Sequence, residues 1–171
     1  MKPDLIIETL QASHNRSAFG CGVPALDRYF REQASQDIKR RVSCCFVAVD
    51  RAGAIAGYYT LAASSVPIAS LPEDQTKRLP RYPILPAILI GRLAVDARCQ
   101  GRGIGSALII DALRRSVQVT SASFALVVDA KDEQAAAFYR RHGFVPLKSR
   151  ALSLFLPVAT ALKLFGPEAL P

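Results

Sequence analysis

Ala87-Ile88-Leu89-Ile90-Gly91-Arg92-Leu93-Ala94-Val95 runs into Asp96-Ala97-Arg98-Cys99 and then into Gln100-Gly101-Arg102-Gly103-Ile104-Gly105-Ser106. Its first part is an almost unbroken apolar stretch, the pattern of a strand buried in the middle of a sheet. Its last part places three glycines within five residues, where the chain must turn tightly. From Gly103 to Val117 the pattern becomes helical. Asp111, Arg114, Arg115 and Gln118 form a polar stripe, and Ile104, Ala107, Leu108, Ile110, Leu113 and Val117 occupy the other faces. The next apolar segment, Ser123–Asp129, reads as a second buried strand, so the unit is strand, glycine loop, helix, strand. Such a crossover joins parallel strands.

A glycine loop that opens a helix is chemically specific. The first amides of a helix lack carbonyl partners and point outward at the positive end of the helix dipole. That makes an anion site suited to phosphate or pyrophosphate. A Walker A loop would need Gly-Lys-Ser/Thr at its end, but Gly105 is followed by Ser106-Ala107. A dinucleotide fingerprint needs G-x-G-x-x-G and an acidic residue about 20 positions on. Here the spacing is G-x-G-x-G, and Asp129 stands about 26 residues beyond the loop. Both nucleotide readings fit poorly.

The rest of the chain is read outward from this unit. Leu5–Leu10 is expected to be a strand. A helix is expected from Pro24 to about Asp37, with Leu26, Phe30, Gln33 and Ala34 on one face. Cys44–Val49 and Ala54–Ser65 are expected strands joined by a turn at Arg51-Ala52-Gly53. Leu71–Pro83, with three prolines, is expected to be a loop holding at most a short helix. Asp132 can cap a helix running to His142 and Gly143 can end it. Pro146–Pro157 supplies one or two further strands, and Ala159–Phe165 a turn of helix. At 171 residues, with half of them hydrophobic and 21% charged, the chain suits a single globular domain, 1–171. No apolar run reaches the roughly 18 residues of a membrane span, and no secretion signal is read at Met1-Lys2-Pro3-Asp4. Cys21, Cys44, Cys45 and Cys99 form no metal-binding spacing, so four reduced thiols of a cytoplasmic protein and no metal site are expected. Cys44 and Cys45 should point to opposite faces. A net charge of +8 fits a polyanionic partner, whether a phosphorylated cofactor, RNA or both.

The glycine loop resembles the acetyl-coenzyme A loop of the GNAT superfamily, Gln/Arg-x-x-Gly-x-Gly/Ala, with Gln100, Gly103 and Gly105 at the three defined positions. The resemblance implies an α/β (α+β) fold with a central mixed, twisted sheet of about six to seven strands flanked by helices. It implies that Leu93, Ala94 and Val95 face the pantetheine. It further implies that the amides from Arg98 through Gln100, Gly101, Arg102, Gly103, Ile104 and Gly105 to Ser106 hold the pyrophosphate, with charge from Arg98 and Arg102. Ala135-Ala136-Ala137-Phe138-Tyr139-Arg140-Arg141-His142-Gly143-Phe144 is similar to the family's aromatic–Tyr and Gly-Phe segment. By that resemblance Phe138 adjoins the cofactor, and Tyr139 protonates the departing thiolate. A splayed strand near Leu93–Val95 would offer an amide to the oxyanion. No buried carboxylate stands out as a base for the attacking amine. His14 and His142 are candidates by residue type, and His142 alternatively satisfies a helix C-terminus.

Phe19-Gly20-Cys21-Gly22, Leu26-Asp27-Arg28-Tyr29 and Ala34-Ser35-Gln36 resemble the N-terminal signature of GNAT toxins from toxin–antitoxin systems. Gly91–Asp96 and Leu154-Phe155-Leu156-Pro157 also fit that group. The resemblance implies acetylation of the α-amine of aminoacyl-tRNA, a block of translation, a ribbon-helix-helix antitoxin as partner, and a homodimer. Lys39, Arg40, Arg41, Arg78, Arg81, Arg92, Arg140 and Arg141 are the leading candidates for contact with RNA, with Lys77, Lys148 and Arg150 beside them. Two readings stay open: a GNAT enzyme acting on a small amine or protein N-terminus, and a non-catalytic domain that binds coenzyme A or a partner.

Overall fold

The structure, a computed structural model, describes residues 4–119 and 121–165, without the side chains of 164 and 165. Among these lie seven strands: β1 (Ile6–Thr9), β2 (Cys44–Val49), β3 (Ile55–Pro67), β4 (Ile84–Val95), β5 (Ala125–Asp129), β6 (Val145–Leu147) and β7 (Arg150–Pro157). They form one sheet in the order β1-β2-β3-β4-β5-β7-β6, which puts β4 at the centre. β1–β2, β2–β3, β5–β7 and β6–β7 are antiparallel. β4 and β5 are parallel, with register from Ala87↔Ala125 to Ile90↔Val128. The helices are α1 (Pro24–Arg28), α2 (Ala34–Lys39), α3 (Glu73–Thr76), α4 (Ile104–Gln118), α5 (Glu133–Arg141) and α6 (Val158–Phe165). The mixed, helix-flanked sheet and the parallel crossover through α4 are the architecture expected from the sequence.

The chain clusters into two compact units. The first, among the described residues, holds 4–62 and 91–111. Its core is aromatic: Phe30 stacks on Tyr58 at 4.2 Å, and Phe19 meets both rings edge-on at 5.0 and 5.5 Å. All three rings are buried, each contributing about 1.5–3 kcal/mol of transfer free energy. The predicted helix over 24–37 is interrupted. A π-helical turn, Tyr29–Gln33, separates α1 from α2, and the Ala34 amide bonds back to the Tyr29 carbonyl. The extra residue shifts the register. Tyr29, Phe30 and Ala34 are buried, whereas Gln33, expected on the same face, is exposed. The β2–β3 turn is pinned by Asp50, whose carboxylate accepts from the Ala52 and Ala54 amides at 2.9 Å, with Gly53 at φ +81°. Cys44 is exposed and Cys45 buried, as alternation requires. On β3, Gly57 sits in close quarters: a Cβ there would lie 3.0 Å from the Ala94 carbonyl and 3.1 Å from Leu108, so these neighbours would have to give way.

The second unit, among the described residues, holds 63–90, 112–119 and 121–165. Val66, Leu71, Leu85, Ala87, Ala125, Val127 and Phe155 form its core. The segment between β3 and β4 carries a 3-10 turn, Ile68–Ser70, and the short α3. Fully buried Leu71 anchors it. On α4, Ile110 is 43% exposed rather than packed, because the apolar side chains of this helix cover more of its circumference than one packed face can use.

Candidate functional site

β4 ends at Val95, and the buried carboxylate of Asp96 fixes the turn beyond it. It accepts from the Arg98 amide at 3.0 Å, from Arg98 Nε at 2.8 Å and Nη2 at 2.9 Å, and from the Gly20 amide at 3.2 Å. The Arg98 hydrogen bonds hold its pKa down at about 2, with the amides of Arg98 and Gly20 adding to the effect against the cost of burial. The Arg98 guanidinium is thus engaged within the protein, and its Nη2 also reaches the Ala18 carbonyl at 3.3 Å. Gln100 ties the same turn down, donating to the Cys21 carbonyl at 3.0 Å and the Val95 carbonyl at 3.2 Å. Ala97 donates to the Gly20 carbonyl at 2.8 Å. Segment 18–21 and segment 95–100 are therefore laced together. The sequence displays them as two separate motifs.

Gly101 and Gly103 adopt φ +75° and +79°, the left-handed region that favours glycine. A Cβ at either would meet nothing within 4 Å, so conformation rather than crowding demands glycine. The Ala107 amide bonds to the Gly103 carbonyl and closes the first turn of α4. The amides of Ile104 and Gly105 open the helix, where its dipole is positive. Arg102 is exposed beside them, and Ser106 is half-buried in the same turn. Leu93 and Val95 are half-buried and Ala94 is buried. The residues predicted around this loop thus fall in one place, and their open, positively polarised backbone fits a pyrophosphate.

Phe138 and Tyr139 belong to the other unit. Asp132 caps their helix, accepting from the Ala135 amide at 2.8 Å, and Gly143 at φ +90° ends it. The Tyr139 ring is buried, edge-on to Phe138 at 5.3 Å and to Phe144 at 5.6 Å. Burial alone pushes its phenol up to about 12. Tyr139 therefore remains a neutral O–H donor throughout the physiological range. His142 Nδ1 lies 2.8 Å from the Phe138 carbonyl, the dipole-satisfying alternative. His14 accepts from the Gln11 amide at Nδ1, 2.9 Å, and its Nε2 lies 2.8 Å from Glu8. Both of its nitrogens are thereby engaged.

The basic candidates divide. Lys39, Arg40, Arg41, Arg78, Arg81 and Arg141 are exposed, as are Lys77, Lys148 and Arg150. Arg140 is exposed but pairs with Glu133. Arg92 is half-buried and lies 3.5 Å over the Tyr29 ring, a cation–π contact. Tyr29 donates to Asp37 at 2.9 Å. Buried Cys45 has its thiol pushed up to about 12 by desolvation, which suppresses the nucleophilic thiolate. Among the described residues no cluster could hold a metal ion, and no helix is long and apolar enough to cross a membrane.

A glycine loop that follows the central strand and opens a helix is the arrangement expected of a GNAT acetyltransferase. The chain belongs to the GNAT acetyltransferases: the family model described as "Acetyltransferase (GNAT) domain" matches residues 41–146. Within that family it is similar to a "Probable toxin TacT" of Sinorhizobium fredii (strain NBRC 101917 / NGR234), 31% identical over 94% of this chain and 95% of the relative. It is 38% identical to a "tRNA-acetylating toxin" of Mycobacterium tuberculosis (strain ATCC 25618 / H37Rv), over 88% and 90%. Among solved structures it resembles "AtaT complexed with acetyl-methionyl-tRNAfMet", TM-score 0.87 at 30% identity over 95% and 100%. It also resembles AtaTR bound with AcCoA, TM-score 0.82 at 29% over 95% and 99%. An AtaT mutant toxin bound to the C-terminus of the antitoxin AtaR gives TM-score 0.79 at 27% over 95% and 98%.

Proposed function

We propose that this protein transfers the acetyl group of acetyl-coenzyme A to the α-amine of aminoacyl-tRNA, and so acts as a toxin that stops translation. The observation that carries the reading is similarity along most of the chain to a toxin described as tRNA-acetylating and to a solved structure of AtaT complexed with acetyl-methionyl-tRNAfMet. In this reading acetyl-coenzyme A supplies the acyl group. The amides from Arg98 to Gly105 hold the pyrophosphate, with Arg102 as the exposed cation of the loop. Arg98, held by Asp96, acts by keeping the loop in shape. The backbone of Leu93–Val95 meets the pantetheine, and Phe138 packs beside the thioester. Tyr139, a neutral phenol, donates to the leaving sulfur. Burial that raises the phenol also raises the proton affinity of a thiolate placed against it, which keeps the two groups matched. Exposed Lys39, Arg40, Arg41, Arg78, Arg81 and Arg141 receive the phosphates of the acceptor RNA, with Arg92 and Arg140 held by their partners at its margin. An antitoxin neutralises the toxin, as a ribbon-helix-helix protein whose tail covers the basic surface. The active form is a homodimer in the cytoplasm, where charged tRNA resides.

The test is expression in a bacterial host of the native chain and of Tyr139→Phe, scoring growth and acetylation of charged tRNA. Arrested growth with acetylated aminoacyl-tRNA, both lost in the variant, is expected. Transfer to polyamines or peptides but never to charged tRNA would overturn the toxin reading. Unaltered growth arrest by Tyr139→Phe would point to a non-catalytic role.

A further inference from the structure

The second unit contains a cavity of about 330 Å³, lined from β3, β4, β5, β7 and the turn before β7. That volume lies at the small end of ligand sites and suits an amino-acid-sized group. Its walls are rich in hydroxyls, Ser64, Ser65, Ser70 and Ser149 among them. One carboxylate lines it, that of Asp129, and Ser153 Oγ donates to Asp129 Oδ1 at 2.5 Å. The placement comes from strand register. The parallel pairing of β4 with β5 ends at Ile90↔Val128, and Asp129 is the next residue. On its other edge β5 still pairs Asp129 with Ser153 on β7. Asp129 is thus fixed on one side and exposed on the other.

A substantial share of an acyl acceptor amine is an ammonium ion in neutral solution, since α-amino groups titrate near pH 8 and those beside an ester somewhat lower. It must lose a proton to expose the lone pair that attacks. We propose that Asp129, braced by Ser153, binds the acceptor's ammonium group in this cavity and takes that proton. An N–H bond of the ammonium breaks, and an O–H bond forms on the carboxylate. The amine becomes neutral, Asp129 becomes a carboxylic acid, and its proton later passes to solvent at the open side. The serine hydroxyls accept the remaining N–H donors. The inference rests on the acetyltransferase reading and adds the acceptor subsite to it. The other charged group lining the cavity is Arg150. Lys131, two residues on, is held by Asp132 at 3.8 Å.

The test uses the full chain with acetyl-coenzyme A and a panel of charged tRNAs, amino acid esters and spermidine. Asp129→Asn keeps an oxygen for Ser153 but removes the charge. It is expected to lower kcat/KM for the acceptor about ten- to a hundredfold at pH 7, leaving KM for acetyl-coenzyme A within about twofold. The loss should shrink at pH 9, where the amine supplies its own neutral form. Asp129→Glu, which keeps the charge, should retain more activity than Asp129→Asn, and Ser153→Ala should lose only about threefold. Equal kcat/KM for Asp129→Asn and the native chain at pH 7 overturns the proposal. So does a loss of the same size at both pH values, or Asp129→Glu falling below Asp129→Asn. If the native chain acetylates only a small amine, the tRNA reading fails, and the same variants on that amine still decide the role of Asp129.

Discussion

Asp96 and Asp129 each stand where a strand stops, Asp96 just past β4 and Asp129 as the last residue of β5. Their surroundings are opposite. The Asp96 carboxylate is 1% exposed and accepts four hydrogen bonds, three of them from Arg98 and one from the Gly20 amide. Asp129 is exposed, lines a cavity and accepts from Ser153. The first carboxylate is consumed in holding backbone, so the loop it anchors can meet a phosphate group with amides already in place. The second, on the proposal above, keeps an oxygen lone pair for an incoming ammonium group. On the proposed reading, the grip on the donor is built from backbone shape, and the handling of the acceptor from side chains.

The largest effect that would sharpen the contrast is at Tyr139. Tyr139→Phe should lower kcat by about a hundred- to ten-thousandfold. Acetyl-coenzyme A binding, measured by titration calorimetry, should be retained, because the ring packing with Phe138 and Phe144 survives.

Asp96→Asn comes next. It removes a charge whose folded-state pKa is depressed from 3.8 to about 2. That shift corresponds to about 2 kcal/mol of stability. A depressed carboxylate stabilises the fold above its unfolded pKa, so the contribution is complete above about pH 4 and disappears as pH falls toward 2. Native and Asp96→Asn chains should therefore differ in urea midpoint at pH 7 and converge near pH 2. A constant difference across that window would remove Asp96 from its role as hub.

Gly103→Ala should weaken acetyl-coenzyme A binding about tenfold by calorimetry, since a left-handed alanine costs about 1–2 kcal/mol and the loop would relax away from its anion-binding shape. Unchanged affinity would break the claim that backbone shape grips the donor. The smallest effect lies away from both aspartates. Arg41, at φ +58°, ends α2 in the left-handed region. Arg41→Gly should raise stability by about 1 kcal/mol, seen as about 2–4 °C in Tm.

Much of this was legible in the chain itself. The glycine loop is a local device: three glycines, a helix start and a preceding strand are contiguous, so the sequence exposes both the turn and its charge preference. Tyr139 likewise sits in a continuous capped helix, from Asp132 to Gly143. Periodicity located the strands and helices, because burial on one face imposes a period on any element. It failed at the π-turn, where one extra residue breaks the period and turns Gln33 outward. It left open whether Ile110, off the polar stripe of α4, is covered, since an apolar side chain need not find cover.

The amino-acid sequence determined the glycine loop at its helix start, the order of strands and helices and the family resemblance, all of which depend on residues close together in the chain. Only the tertiary structure decided what the charged groups do. It joined Gly20 to Asp96 across a separation of 76 residues, turned Arg98 back onto Asp96, laid Arg92 on Tyr29, and brought Asp129 to Ser153 at a cavity wall. Such pairings leave no periodic trace, because a hydrogen bond depends on distance in space and carries no signal along the chain.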